Sequence, residues 1–450
     1  MAKLSPRVNF GQSIWHNLFA GLTGVFFTIG LLKFGNPAIF ENLTTSPTDI
    51  YEWIFQPWPA AWGYLFIALL IGTGLMIGRF DFHFNRKQIF ALGLPLFWLG
   101  WQFISATRTV DPNLTRMTLK HFVTCVICFY LGWFCLSRIK DFRLLFITVL
   151  AGFLVVILTG WQQHFGGLEE TRRFFYAQPN WRDYPQDFLK KVASTRIYST
   201  LFYPNTLAAA ILLFLPISVA GCWLLSARFN FRRRIFFALL VCGGACGCLI
   251  WSGSKSGWLL MLLMAFLAVL QLSFDPRLKR FLVLVMLILG LGGFALKYAG
   301  FFQRGATSVA ARFDYWRAAL ETARQHPLLG TGPGTFGVSY QKIKRADAEM
   351  ARLAHNDYLQ QASDSGFPAF MVFVVLVFGS LIVYRPSFDS QNTARFCIWL
   401  GLLGLSLHSL VEFNFYIPAL AWPAFFLFGW LGGSTETNRQ KLPVSVGSSR

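Results

Sequence analysis

The sequence predicts an all-α integral membrane protein of about 12 transmembrane helices with a large loop on the non-cytoplasmic side, and three observations predict it. The 450 residues are 55% hydrophobic and only 13% charged, with a mean hydropathy of +0.49, which leaves too little polar surface to clothe a water-soluble domain. Apolar runs near the ~20 residues that an α-helix needs to cross the hydrocarbon core recur along nearly the whole chain. They far exceed the ~10-residue alternating segments of a membrane barrel, and a helix satisfies its own backbone N–H and C=O groups in lipid.

The runs fall at 18–34, 60–78, 89–105, 119–136, 142–160, 206–225, 235–251, 258–274, 281–300, 367–384, 396–411 and 417–432. The first follows Lys3 and Arg7 as a signal peptide would, but no small-residue cleavage site closes it, so it is read as a retained helix. Residues 1–433 are expected to form a single polytopic domain, and 434–450 a polar, disordered cytoplasmic tail.

Charge sets the expected orientation. A net charge of +20 would point to nucleic acid in a soluble protein, but in a membrane protein the side on which the charges lie is decisive. With the N-terminus inside, every short inner loop is basic: Arg79, Arg86 and Lys87; Arg138, Lys140 and Arg143; Arg228 and Arg232 to Arg234; Arg277, Lys279 and Arg280. The outer segment 41–59 carries Glu41, Asp49 and Glu52 and neither lysine nor arginine. Both termini are thus expected in the cytoplasm. The long outer loops, 161–205 and 301–366, break the pattern. The first holds Arg172, Arg173, Arg182, Lys190, Lys191 and Arg196, and the second holds eight basic residues. Long loops translocate regardless of charge, so these residues suit ordinary solvated cations and a field for an anionic ligand equally well.

Cysteine chemistry is not expected. All eight cysteines, Cys125, Cys128, Cys135, Cys222, Cys242, Cys246, Cys248 and Cys397, lie in apolar segments. Cys125 and Cys128 have zinc-like spacing but no second pair, so no metal site is proposed and no cofactor is called for.

The outer loops hold the candidate chemistry. The stretch 308–326 spaces Val309, Phe313, Trp316, Leu320 and Ala323 as one face of an amphipathic helix, with Ser308 able to cap it and Pro327 to end it. Arg312 and Trp316 are four apart, so a guanidinium could lie beside an aromatic face, or the helix could simply rest on lipid phosphates. The glycine-rich run 330–337, GTGPGTFG, lacks the Gly-Lys-Ser/Thr ending of a nucleotide-binding loop. Its glycines suit either a backbone anion cradle or a tight turn. A second helix is expected over 346–363, with Met350, Ala354, Tyr358 and Leu359 on one side and His355 beside them. Histidine there has the right chemistry to accept or relay a hydroxyl proton near neutral pH, although a lone histidine is usually structural. Ser252 and Lys255 match S-x-x-K, but the companion motifs of a serine nucleophile are missing. His408 and Glu412, four apart, could pair at the outer end of their helix.

Together these segments resemble the O-antigen ligase and O-antigen polymerase superfamily of bacterial membrane glycosyltransferases, over about 196–422. The resemblance rests on R-I-Y-S-T-L-F-Y-P-N at 196–205, S-G-S-K-S-G around Lys255, R-F-D-Y-W from Arg312, H-P-L-L-G-T-G-P-G-T-F from His326, A-H-N-D-Y-L-Q from Ala354 and H-S-L-V-E from His408. Each piece is weak alone; their order between membrane segments is specific.

The resemblance implies the multi-helix membrane glycosyltransferase fold and transfer of a glycan from undecaprenyl diphosphate, on the periplasmic face of the inner membrane, to a hydroxyl such as that of the lipid A core. This is a step of lipopolysaccharide biosynthesis. The implied partners are the lipid-linked donor, the glycan acceptor and membrane lipids, with no nucleic acid. It assigns Arg312 and Lys255 to the diphosphate, Arg196 to a further basic position, and His355 to activating the acceptor or supporting the leaving group. Asn205, Trp316, Asn356 and Tyr358 are candidate substrate-binding residues. Family members usually have arginine at Lys255, a planar fork that lysine cannot offer, and often glutamate at Asp364. No DxD-like carboxylate pair appears in the outer loops, which fits metal independence, with cations offsetting the charge of the leaving group, and a base opposite that group, for which His355 is the candidate, would make the enzyme inverting. An O-antigen polymerase and a protein O-glycosyltransferase share this chemistry. A twelve-helix transporter shares the helix number, but it would place its site at the bilayer midplane, often within two related halves.

Overall fold

The computed structural model describes residues 10–77, 85–184, 189, 192–272, 274–303, 307–346, 348–386 and 393–439. Lys3, Arg7, Arg79, Lys190, Lys191 and 440–450 lie outside the described residues. Among those described, the fold is all-helical. In chain order the helices are α1 (Phe10–Lys33), α2 (Ile50–Phe55), α3 (Ala60–Ile77), α4 (Arg86–Ala106), α5 (Pro112–Phe134), α6 (Arg143–Gln162) and α7 (Leu168–Tyr176). They continue with α8 (Pro204–Leu225), α9 (Phe231–Ser252), α10 (Lys255–Gln271), α11 (Pro276–Gln303) and α12 (Thr307–Gln325). The last are α13 (Phe336–Ile343), α14 (Asp357–Val374), α15 (Ser380–Val383), α16 (Thr393–His408) and α17 (Pro418–Arg439).

Each of the twelve predicted runs coincides with a helix. Nine described helical stretches are long and apolar enough to cross a membrane, while α10 and α16 are shorter apolar helices. The twelfth, α17, is different. Residues 412–433 are buried throughout, so this helix faces protein on every side. It packs on α5, and the two backbones touch: a Cβ on Gly132 would lie 1.9 Å from the Phe426 carbonyl oxygen, and one on Gly429 would lie 1.9 Å from that of Phe129. Only glycine allows such an approach. Because α17 runs on to Arg439, the part of the expected tail up to that residue is helical.

The segments expected on the outer side hold more helix than a loop reading allows. α6 continues through a π turn, Gln163–Gly167, into α7; Gly166 at φ 131° makes the kink. In the second segment α12 matches the expected amphipathic helix, but its buried face is Tyr315, Ala318, Ala319, Thr322 and Ala323. Phe313, expected on that face, is exposed. The small residues let α12 lie close against α14, and the bulkier stripe is left outside. The helix expected over 346–363 begins only at Asp357. His355 has a left-handed φ of 49°, and the Asn356 side chain then caps α14 by accepting from the N–H groups of Tyr358 and Leu359.

Candidate active site

Helix ends and two irregular loops bring four of the predicted residues together. The key element is the turn after α16. That helix stops at His408, so Glu412 is not stacked above it, and the two side chains, which could have paired, make no hydrogen bond to each other among the described contacts. His408 lies instead with its Nε2 3.1 Å from the Ser256 hydroxyl and its Nδ1 3.2 Å from the Asn414 amide nitrogen. Glu412, with only 4% of its side chain exposed, turns the other way. Its Oε2 is 3.0 Å from His355 Nδ1. Its Oε1 accepts from Arg312 and, at 2.5 Å, from Asn205 Nδ2. Asn205 Oδ1 in turn accepts from Arg196 at 2.7 Å. One buried carboxylate thus links residues from four separate parts of the chain.

Its ionisation follows from these neighbours. Burial opposes charge on Glu412, but His355, Arg312 and His408 outweigh it and hold the carboxyl down at about 2. An ionised carboxylate only accepts, so Nδ1 of a neutral His355 must carry the proton and Nε2 is the free lone pair. The ring is packed against Tyr315 and Phe413 at centroid distances of 5.6 and 4.7 Å, and Trp316 donates to its backbone carbonyl at 3.2 Å. With 28% of its side chain exposed, His355 is held firmly yet reachable.

The three cations differ in how much they have left to offer. Arg312 donates to Val411 O, Ser308 O and Glu412, which uses three of the five N–H groups of a guanidinium. The expected pairing of Arg312 with the Trp316 ring is replaced by these bonds, since Trp316 reaches the His355 carbonyl. Arg196 donates to Ser252 O at 2.7 Å and to Asn205. Burial pulls its guanidinium below its ordinary value, and Glu412 works against that. Lys255 opens α10 and has no carboxylate partner among the described residues. Its ammonium sits over the Phe301 ring at 3.6 Å and near Tyr298 at 5.1 Å, an arrangement worth ~1 kcal/mol.

Other candidates are spent inside the fold. Tyr358 is 3% exposed and donates to Ser406 O at 2.9 Å, and Asn356 is the helix cap. Ser252 is buried and donates to Leu249 O, which is no arrangement for a nucleophile. Asp364, buried, accepts at one oxygen from Gly334 N, Gln360 Nε2 and Tyr416 Oη, while its carbonyl accepts from Gly332 N at 2.8 Å. The glycine-rich run therefore grips α14. A Cβ on Gly330 would meet the Asp364 backbone at 2.3 Å, so the run is a clasp at these positions.

The sequence reading missed Glu412 as the partner of His355. The only signal was the carboxylate itself in H-S-L-V-E, because the contact spans 57 residues and depends on where α16 ends. Ser199 and Phe202 share the left-handed backbone of His355, at φ 55° and 63°. All three lie in the two loops that carry Arg196 and His355, and such strain, ~1–3 kcal/mol each, tends to gather at functional sites.

Comparison with known proteins bears on the same region. A stretch of 108 residues is 24% identical to an uncharacterized protein of Haemophilus influenzae, covering 23% of this chain and 27% of that protein. The match thus spans about a quarter of the relative's length. Residues 240–374 match the family model described as O-antigen ligase; they include Lys255, Arg312 and His355, while Arg196, Asn205 and Glu412 lie outside. This supports an activity of the O-antigen ligase or polymerase type in general terms, and the resemblance to the O-antigen ligase superfamily holds over residues 240–374.

Proposed function

We propose that the protein transfers a glycan from undecaprenyl diphosphate to a hydroxyl acceptor such as the lipid A core, on the periplasmic face of the bacterial inner membrane, as a metal-independent inverting glycosyltransferase. The observation that carries this reading is the His355–Glu412 hydrogen bond, set among cations and beside helices long enough to hold a lipid-borne substrate. The acceptor O–H gives its proton to His355 Nε2 while its oxygen attacks the anomeric carbon. The bond from that carbon to the diphosphate oxygen breaks, and the electron pair leaves with the diphosphate. Lys255 and the unspent N–H groups of Arg196 and Arg312 meet the developing charge. The imidazolium so formed is stabilised by Glu412, which stays ionised throughout. Attack opposite the leaving group inverts the anomeric centre.

In this scheme Arg312 orients Glu412 as much as it binds phosphate, and Asn356, Tyr358 and Trp316 act by fixing the His355 loop. Asn205 joins Arg196 to the carboxylate. Both substrates diffuse in the bilayer, so the helices bring them to one site.

The test is direct. Purified protein is mixed with lipid-linked glycan and either lipid A core or a second lipid-linked unit, and the product is identified by mass. Glycan on the core establishes a ligase, and a lengthened lipid-linked chain a polymerase. Uptake into vesicles without any glycan product would sink the reading.

A further inference from the structure

A cavity of about 400 Å³ with a mixed polar and apolar lining lies outside the residues just described, bordered by His164, Glu169, Arg172, Thr195, Trp251 and Lys297 among others. Its size is that of a small-molecule site, ~300–1,000 Å³. Three observations distinguish it from an ordinary surface hollow. His164 lies flat on Trp251, with ring centroids 3.9 Å apart and planes 8° apart, and His164 is itself exposed, so the stack offers an aromatic plate. Lys297 has no carboxylate partner among the described residues. Arg172 donates from Nη1 to Glu169 at 2.8 Å, but its buried Nε has no hydrogen-bond partner.

Three residues of the cavity wall adjoin the cation cluster along the chain. Thr195 precedes Arg196. Trp251 precedes Ser252, whose carbonyl holds the Arg196 guanidinium, and the Trp251 carbonyl accepts from Ile197 N at 3.3 Å. Lys297 precedes Tyr298, whose ring lies under Lys255. Tyr298 is only 6% exposed, yet its hydroxyl has no partner. A group covalently attached to a diphosphate at Arg196 and Lys255 therefore has this cavity as its neighbour.

We propose that this cavity binds the sugar joined to the diphosphate of the donor, with the pyranose face on the His164–Trp251 plate and its hydroxyl rim on Glu169, Arg172, Thr195 and Lys297. A sugar ring has apolar C–H faces and a polar edge, which is the pattern that an aromatic plate with a polar border recognises. The proposal rests on the glycosyltransferase reading for its donor, so its test separates the two.

Full-length protein in nanodiscs is titrated with a glycan-bearing polyprenyl diphosphate and, separately, with bare polyprenyl diphosphate, for the wild type, His164→Ala and Lys297→Gln. Binding is read by native mass and by tryptophan fluorescence, and folding by thermal melting. The expected result is that each variant melts as the wild type does, binds the glycan-bearing lipid about tenfold more weakly, and binds the bare lipid unchanged. An equal loss for both lipids would mean that the cavity reads phosphate, and would overturn the sugar assignment, as would no loss for either. If the wild type binds the glycan-bearing lipid selectively but makes no product with any acceptor, the proposed activity fails and the sugar site stands.

Discussion

The glycine-rich run at 330–337 and the histidine loop at 351–356 lie in the same basic segment, and both hold residues with left-handed backbone. They are built in opposite ways. In the first, Gly332 N donates to the Asp364 carbonyl and Gly334 N to one oxygen of its carboxyl, so the run is turned onto the protein itself. In the second, the backbone is held in a left-handed conformation by Asn356 and Trp316 while the His355 ring stays 28% exposed. A run of glycines marks a close approach, and only the donor inventory tells whether the approaching group is a ligand or the protein itself.

Substitutions can break this contrast. The largest effect is expected on the histidine side. His355→Ala and Arg312→Ala should abolish detectable transfer with normal membrane insertion, and Glu412→Gln should lower kcat about 100-fold or more by freeing the tautomer of His355. Full activity in Glu412→Gln would contradict the base assignment. On the clasp side, Asp364→Asn should cost ~1–3 kcal/mol of stability by disturbing a buried acceptor of three donors, seen as a lower melting temperature with donor KM unchanged. A raised KM at unchanged stability would return the run to the role of cradle. Gly334→Ala should behave similarly, because its φ is 80° and a Cβ would meet the Thr118 hydroxyl at 2.1 Å.

The smallest effects probe charge. Lys255→Arg should keep most of the activity, whereas Lys255→Gln should lower it about tenfold, since the position supplies charge rather than a planar fork. Glu412 has a folded value of about 2, below the ~4.3 of an unfolded glutamate. Its contribution to stability is therefore fully present above pH ~4.3 and is lost as the pH falls towards 2. Melting temperatures followed from pH 6 to pH 3 should fall more steeply in the wild type than in Glu412→Gln.

Hydropathy made the helices legible, because each had to be long and apolar for the same physical reason. It could not separate α17 from its neighbours, since a helix wrapped in protein and one wrapped in lipid are equally apolar. The site was legible as a set of residues, His355, Arg312, Lys255 and Arg196, but not as a network. Glu412 joins His355, Arg312 and, through Asn205, Arg196, and its place follows from a helix that ends at His408, which hydrophobic periodicity does not mark. The continuation of α6 into α7 was hidden for a related reason: a glycine kink and a charged surface both read as loop.

The position of α17 has a consequence for how the protein is made. It is the last of the described helices to leave the ribosome, yet it occupies the middle of the bundle, backbone to backbone with α5. Until it arrives, the earlier helices surround a space that only lipid or a transient partner can fill, and the turn bearing Glu412, which immediately precedes it, has no fixed place. Assembly of the reactive cluster is thus tied to the arrival of α17, and a chain stalled before it carries Glu412 without the packing that sets it beside His355.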